Sequence, residues 1–147
     1  ISVLVAFVVV DGEAANHERD VRTARSGVEL AAAFADEGVS TVLVEAGGDL
    51  TLAESDWEGI PLPVRLSRNF TIRGSAAPQA SWPVFRLMAK RKVQLMLDGV
   101  TLRLQYLAIH KSRSDNLLRA PGFDLLHPSP PGITSASFVM EDCSGFL

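Results

Sequence analysis

The sequence predicts an all-β fold built as a solenoid, because short strand-like segments recur along it in the same order. The pairs of segments are Val42–Val44 with Leu50–Leu52, Val64–Leu66 with Phe70–Ile72, Val93–Leu95 with Val100–Leu102, and Asp124–Leu126 with Ser137–Val139. Successive pairs start about 22, 29 and 31 residues apart, and periods of ~20–50 residues are typical of repeat architectures. Since one such unit cannot bury its own apolar face, the units are expected to stack.

The chain begins with an unbroken apolar run, Ile1–Val10. The run is shorter than the ~20 residues that span a bilayer, but it matches the apolar region of a secretory signal peptide. Gly12 and Ala14 are the small residues expected before a cleavage site. We therefore predict that residues 1–14 are a signal-peptide remnant and that 15–147 form a partial solenoid domain. The alternative is a buried first strand, since Val and Ile also suit strands.

A short helix is predicted over residues 27–37, ahead of the strands. Ser26 and Glu29 form a capping-box pattern at its start, and Gly38 is suited to end it. The apolar residues, Phe34 among them, recur on one helical face. That face needs a partner, and we expect it to cover the open N-terminal end of the strand stack.

The remaining segments are read as strands separated by turns and loops, among them a glycine turn at 46–48 and a polar loop at 111–122. Residues 92–97 and 100–106 are expected to pair across Asp98–Gly99, which is a strong turn signal. A βαβ architecture would need helices at 54–63 and 74–83, which are too rich in proline and glycine to form them. A β-sandwich stays open, because hairpins also give paired short strands. The last strand, 135–142, is followed by no polar cap, so the domain is predicted to be incomplete beyond Leu147.

Composition limits the functional classes. The 147 residues suit one domain, and a hydrophobic fraction of 47% is ample for a core. A formal net charge of -3 gives no electrostatic footprint for nucleic acid, and Lys90–Lys92 reads as a solvated turn. The single cysteine, Cys143, allows neither an internal disulfide nor a zinc cluster. It is either paired outside this sequence or a small buried thiol.

The segment Ser67–Ser75 resembles the first coils of right-handed parallel β-helix proteins with a pectin-lyase-like fold. Together with Trp57, Trp82–Pro83, Gly99–Leu102 and Pro121–Asp124, it is similar to green-algal ectodomains of large cell-surface proteins. Some of those proteins look like receptor-type nucleotide cyclases. The resemblance implies an all-β, right-handed parallel β-helix with a short N-terminal capping helix.

No catalytic, metal-binding or cofactor-binding residues are predicted. Lyases of this fold use clustered acids with a basic residue, whereas the aspartates here are dispersed at turns: Asp49, Asp56, Asp98, Asp115 and Asp124. The histidines, which are His17, His110 and His127, lack metal-ligand spacing. There is no nucleophile elbow, Walker A motif, dinucleotide fingerprint or calcium loop.

Asn69 begins an Asn-Phe-Thr triplet, which is an N-glycosylation sequon. It is a glycosylation candidate if the protein is secreted. The alternative is that Asn69 is a turn residue whose amide stacks on the equivalent turns of neighbouring coils, and the two roles exclude each other.

Trp57, Trp82 and Tyr106 are the candidates for stacking on sugars, because flat rings pack against the apolar faces of pyranoses. The alternative for Trp57 and Trp82 is that each ring plugs the edge of the core.

The predicted function is that of a non-catalytic extracellular module of a cell-surface or matrix protein, serving as a glycan-recognising domain, a sensor ectodomain or a spacer. Its expected partner is a cell-wall or matrix glycan. Nucleic acid is not an expected partner, and membrane association is expected only through sequence outside this chain. One alternative is the N-terminal fragment of a polysaccharide lyase or hydrolase, and another is a fragment of a gene copy that no longer functions.

Overall fold

The structure is a computed structural model that describes residues 20–45, 49–74, 82–110 and 123–145. The predicted signal-peptide remnant, 1–14, lies outside the described residues, and so do the predicted turn at 46–48 and the loop at 111–122.

The described residues contain twelve strands, one α-helix and two 3₁₀ turns. The strands are β1 (Val21–Ala24), β2 (Thr41–Val44), β3 (Leu50–Leu52), β4 (Val64–Leu66), β5 (Phe70–Arg73), β6 (Val84–Leu87), β7 (Val93–Leu95), β8 (Thr101–Gln105), β9 (Ala108–His110), β10 (Leu126–His127), β11 (Ser137–Glu141) and β12 (Ser144–Gly145). Helix α1 spans Gly27–Ala35, and the 3₁₀ turns span Glu54–Trp57 and Phe123–Leu125.

The strands form three sheets, in each of which every described pair is parallel. Sheet A has the order β1-β2-β5-β8-β11, sheet B has β3-β6-β9-β12, and sheet C has β4-β7-β10. From β2 onward the chain visits sheets A, B and C in turn. Neighbours in a sheet are therefore one circuit of the chain apart, which positions side chains from distant parts of the sequence side by side.

The predicted fold class, an all-β right-handed parallel β-helix, is wrong. The three separate sheets do not form a closed solenoid, and α1 contributes to the common core, so the fold is mixed α and β. In α1, Leu30 and Phe34 are fully buried. The repeat pattern misled because short apolar segments are typical of any stack of parallel strands. The pattern also carries no information on how much of the core a single helix supplies.

The pairing expected across Asp98–Gly99 is also wrong. The turn is present, but β7 before it lies in sheet C and β8 after it lies in sheet A. The first repeated pair, β2 and β3, occupies sheets A and B, whereas the later pairs occupy C and A. Alternation of apolar residues identifies a strand but not its sheet, because strands in all three sheets bury one face in the same core.

Helix α1 is confirmed over Gly27–Ala35 and ends before the predicted limit at residue 37. The Ser26 side chain accepts a hydrogen bond from the Glu29 N–H at 3.2 Å, as the capping pattern predicts. At the other end Asp36, not Gly38, is the C-terminal cap. The ring of Phe34 stacks on that of Phe70 at 4.4 Å, which joins the helix to the sheet A end of the core.

Candidate functional site

The ring of Trp57 is in the core. Trp57 is only 2% exposed, and its ring centroid lies 5.7 Å from that of Phe34. Its indole N–H is buried with no hydrogen-bond partner. A ring enclosed in this way has no exposed face for a sugar. Trp57 is therefore a core residue and not a sugar-stacking residue.

Trp82 and Tyr106 are brought together, although they are far apart in the sequence. Their ring centroids are 6.2 Å apart, with the planes tilted by 56°. Both residues are half-buried. Trp82 lies just before β6 and Tyr106 lies between β8 and β9, so both occupy the corner where the chain passes from sheet A to sheet B. The two stacking candidates thus form one aromatic pair at the surface.

The backbone of Tyr106 is in the left-handed region, with φ 55°. The Tyr106 N–H donates to the Asp142 carbonyl at 3.0 Å, and the Gly74 N–H donates to the Gln105 carbonyl at 2.8 Å. A Cβ at position 74 would overlap the Tyr106 carbonyl, so glycine is required for this approach. The corner is held by backbone bonds to both neighbouring circuits, which fixes where the Tyr106 ring can lie.

Polar side chains continue from the aromatic pair along the outer face of sheet A. Arg73, Gln105 and Glu141 are consecutive partners in the sheet, and Tyr106 directly follows Gln105. The Gln105 side chain donates to the Glu141 carboxylate at 3.2 Å, and Arg103 forms an ion pair with the same carboxylate at 2.9 Å. Arg73 is exposed and has no ion pair among the described residues.

We define the sheet A patch as Trp82, Tyr106, Arg73, Gln105 and Glu141. It combines two aromatic rings with a cation, an amide and a carboxylate on neighbouring parallel strands. Such strands lie about 4.8 Å apart, so the patch presents donors and acceptors at regular intervals beside an apolar surface. An arrangement of this kind can hold a flat ligand with many hydroxyl groups.

Asn69 is exposed, and its side-chain oxygen accepts a hydrogen bond from the Thr101 N–H at 2.9 Å. This contact joins Asn69, just before β5, to the first residue of β8 in the next circuit. Glycosylation of Asn69 stays a prediction.

Two acidic side chains outside the patch, Glu54 and Asp98, have lowered pKa values because of hydrogen bonds to neighbouring circuits. The pKa of Glu54 is lowered chiefly by its bond to Lys92, with N–O 2.6 Å. The pKa of Asp98 is lowered by the N–H groups of Ser135 and then Thr134, each at 2.9 Å. Both carboxylates tie one circuit to the next, so their lowered pKa values follow from contacts that hold the circuits together.

Cys143 is a half-buried free thiol, and burial raises its pKa. Its Sγ lies 3.3 Å from the Leu104 carbonyl. In the described part of the chain, no group of three or more His, Cys, Asp or Glu side chains is placed to hold a metal ion. Among those same residues, no helix has the length and hydropathy needed to cross a membrane.

Sequence reasoning missed Arg68, which caps the C-terminal end of α1. Its Nε donates to the Val39 carbonyl at 2.6 Å, and its Nη2 donates to carbonyls of the helix end, with the shortest bond to Asp36 at 2.7 Å. The guanidinium also lies 5.4 Å from the centre of the Phe70 ring. Burial lowers the pKa of Arg68, opposed by the charges of Asp36 and Glu37. No local pattern signals this cap, since the arginine is a full circuit away from the helix.

No family model matches the chain, and no curated protein or solved structure matches it either. The comparisons therefore identify neither a pectin-lyase-like family nor a green-algal relative, and the resemblance stays a prediction.

Proposed function

We propose that the protein is a non-catalytic glycan-recognising module that uses the sheet A patch. The observation that carries this proposal is the meeting of Trp82 and Tyr106, with ring centroids 6.2 Å apart, at the end of a polar strand face. Each ring can stack on a pyranose, while Arg73 and Gln105 supply hydrogen-bond donors beside it. The charged groups of the patch, Arg73 and Glu141, lie on strands that pair with β8 on either side, so the sheet holds them at a fixed spacing.

The proposal places the protein outside the cell, at the surface or in the matrix, where such glycans occur. The apolar run at Ile1–Val10 and the sequon at Asn69 support this location. A cell-wall or matrix polysaccharide is the proposed partner. The exposed Arg73 favours a glycan carrying acidic groups over a neutral one.

Binding to an array of neutral and acidic cell-wall and matrix polysaccharides tests this function. We expect saturable binding that is lost when Trp82→Ala and Tyr106→Asn are combined. Asparagine is chosen at position 106 because it lacks the ring and is among the residues that best tolerate the left-handed backbone. Tyr106→Phe, which keeps the ring, should retain most of the affinity.

Leu97→Ala is the matched control, because Leu97 is an apolar residue that is 50% exposed outside the patch. It should leave glycan binding unchanged. Absence of binding across the array would contradict the proposal, and so would binding that survives loss of both rings. Turnover of polygalacturonate or alginate by the intact chain would contradict the non-catalytic assignment.

A further inference from the structure

The core is less covered at the end of the stack that the last circuit forms. The inward-facing residues of β8, Leu102 and Leu104, are 0% and 1% exposed. Their direct partners in β11, Phe138 and Met140, are only partly buried, although they pack against the same core. Leu126 on β10 is also only partly buried. The described part of the last circuit therefore leaves apolar side chains of the core in contact with solvent.

The outer edge of β11 carries backbone groups without a described partner strand. Strand β11 is the last strand of sheet A, and β8 is its only described neighbour. The Ser137 N–H donates to the Val100 carbonyl at 2.9 Å, so Ser137 directs its backbone groups toward β8. Successive residues of a strand direct these groups to opposite edges, so those of Phe138 and Met140 point away from β8. The edge thus offers two donors and two acceptors.

We propose that β11 pairs with β11 of a second copy of this chain, in antiparallel orientation about a two-fold axis at Val139. In this register Phe138 lies opposite Met140 of the second copy. These two residues carry the outward backbone groups, so each such pair exchanges two hydrogen bonds, and the axis generates two pairs. Side chains opposite each other lie on the same face of a sheet, so the aromatic ring meets a thioether that adapts to its shape. The contact continues the apolar face from one copy to the next.

The outer face of the same register brings no like charges together. Glu141, the charged residue of β11, lies opposite the neutral Ser137 of the second copy. Its carboxylate is already bonded by Arg103 and Gln105 within its own chain. Val139 is the residue that lies opposite itself, and valine suits a strand. Every position of β11 is therefore matched without opposed charges.

The opposite edge of sheet A fits a second copy less well. The Asp20 carbonyl accepts the Ser40 N–H at 2.8 Å, so its backbone faces β2. The backbone groups of Val21 and Thr23 then point outward from β1. The equivalent register there would place Arg22 opposite itself, and like charges in that position are destabilising. Helix α1 also fills the core at that end with fully buried side chains. A second β11 is thus a better partner for β11 than β1 is.

Sedimentation equilibrium of the full chain and two Ser137 variants tests the proposal. Ser137→Glu would place a carboxylate opposite Glu141 of the second copy, whereas Ser137→Lys would place an ammonium there. Both variants lose the same bond between the hydroxyls of Ser137 and Thr101, at 3.0 Å, so each is the other's control. We expect a reversible dimer. Its affinity should fall about threefold or more with Ser137→Glu and rise with Ser137→Lys, since the axis doubles each contact.

A disulfide tests the register. Opposite residues that are not hydrogen-bonded to each other in an antiparallel pair have Cα atoms ~4.5 Å apart, which a disulfide can span. In a Cys143→Ser background, Val139→Cys should therefore oxidise to a covalent dimer. Val21→Cys in the same background is the matched control, because Val21 is a half-buried valine on the other edge strand of sheet A. It should form far less covalent dimer.

Three results would overturn the proposal. The first is a full chain that is monomeric at every concentration. The second is equal association of the two Ser137 variants. The third is a Val139→Cys variant that forms no more covalent dimer than Val21→Cys, because a dimer with that behaviour would use another surface.

Discussion

At the scale of single residues, Gly27 shows how closely α1 approaches the strands. A Cβ at this position would overlap the Thr51 carbonyl and the Asp56 carboxylate. The same Asp56 side chain accepts the Ala53 N–H at 2.8 Å and so cannot move without losing a bond. The start of the helix therefore requires glycine for space, although glycine is otherwise a poor helix former.

Gly27→Ala should lower the free energy of unfolding by about 1–3 kcal/mol, because helix or turn must shift to relieve the overlap. Urea unfolding followed by circular dichroism measures the change. Gly38→Ala is the control: the nearest atom to its Cβ would be Asp36 Oδ1 at 3.3 Å, so its effect should be small. Equal stabilities of the two variants would contradict this account of Gly27.

Arg68 is the second residue whose role follows from its contacts. Arg68→Met keeps much of the side chain's apolar volume but leaves the carbonyls at the end of α1 without their donor. We expect a loss of about 1–3 kcal/mol in the free energy of unfolding. Arg68→Lys should lose less, since one ammonium can still bond some of the carbonyls. If Arg68→Met were as stable as the parent protein, the prediction would be wrong, because water would then satisfy the carbonyls as well as the guanidinium does.

At the scale of elements, the contacts between circuits depend on ionised carboxylates. The pKa of Glu54 is lowered by Lys92 and by the Lys90 N–H, which it accepts at 2.7 Å. A lowered folded-state pKa stabilises the fold above the unfolded pKa of about 4.3, and that contribution is lost as pH falls through the folded value. Asp36 and Asp98 act in the same direction.

Stability should therefore fall as the pH drops from neutral through the unfolded value of about 4.3 and below it, and Glu54→Gln should flatten that dependence. Thermal unfolding midpoints measured across this range test the prediction. Glu58→Gln is a suitable control, because Glu58 is an exposed acid nearby with no ion pair among the described residues. A Glu54→Gln profile that parallels the parent would contradict the role of this carboxylate.

The sequence allowed some elements to be predicted and not others. The start of α1 was predictable because Ser26 and Glu29 form a local capping pattern. The strands were predictable because their apolar residues alternate with polar ones. The assignment of each strand to a sheet was not predictable from the sequence, because it depends on pairing with strands that lie one circuit earlier or later in the chain. Trp57 and Trp82 look alike in the sequence, as each precedes a strand. Only the position of Phe34 on α1 decides that the first ring is buried.

At the scale of the whole molecule, the core is enclosed unevenly along the stack. Leu104 and Met140 are direct partners in sheet A, but Leu104 is 1% exposed whereas Met140 is only partly buried. Strand β8 lies between β5 and β11, whereas β11 is the last strand of sheet A, so Leu104 is covered on more sides than Met140.

Leu104→Ala should lower the free energy of unfolding by about 2–5 kcal/mol, while Met140→Ala should cost clearly less. Urea unfolding of both variants measures the difference. Equal losses would show that the residues around Met140 are as well packed as the centre of the stack.

The central claim is that Trp82 and Tyr106 bind glycan, and the emission of Trp82 tests it most directly. Trp57 is the only other tryptophan, and Trp57→Phe removes it together with an unpaired buried N–H, so Trp82 becomes the sole reporter. The polysaccharide that binds best on the array is titrated into this variant. The account predicts a saturable change in Trp82 emission and protection from acrylamide quenching, both lost with Tyr106→Asn. Glycan binding that leaves the emission and quenching of Trp82 unchanged would contradict it.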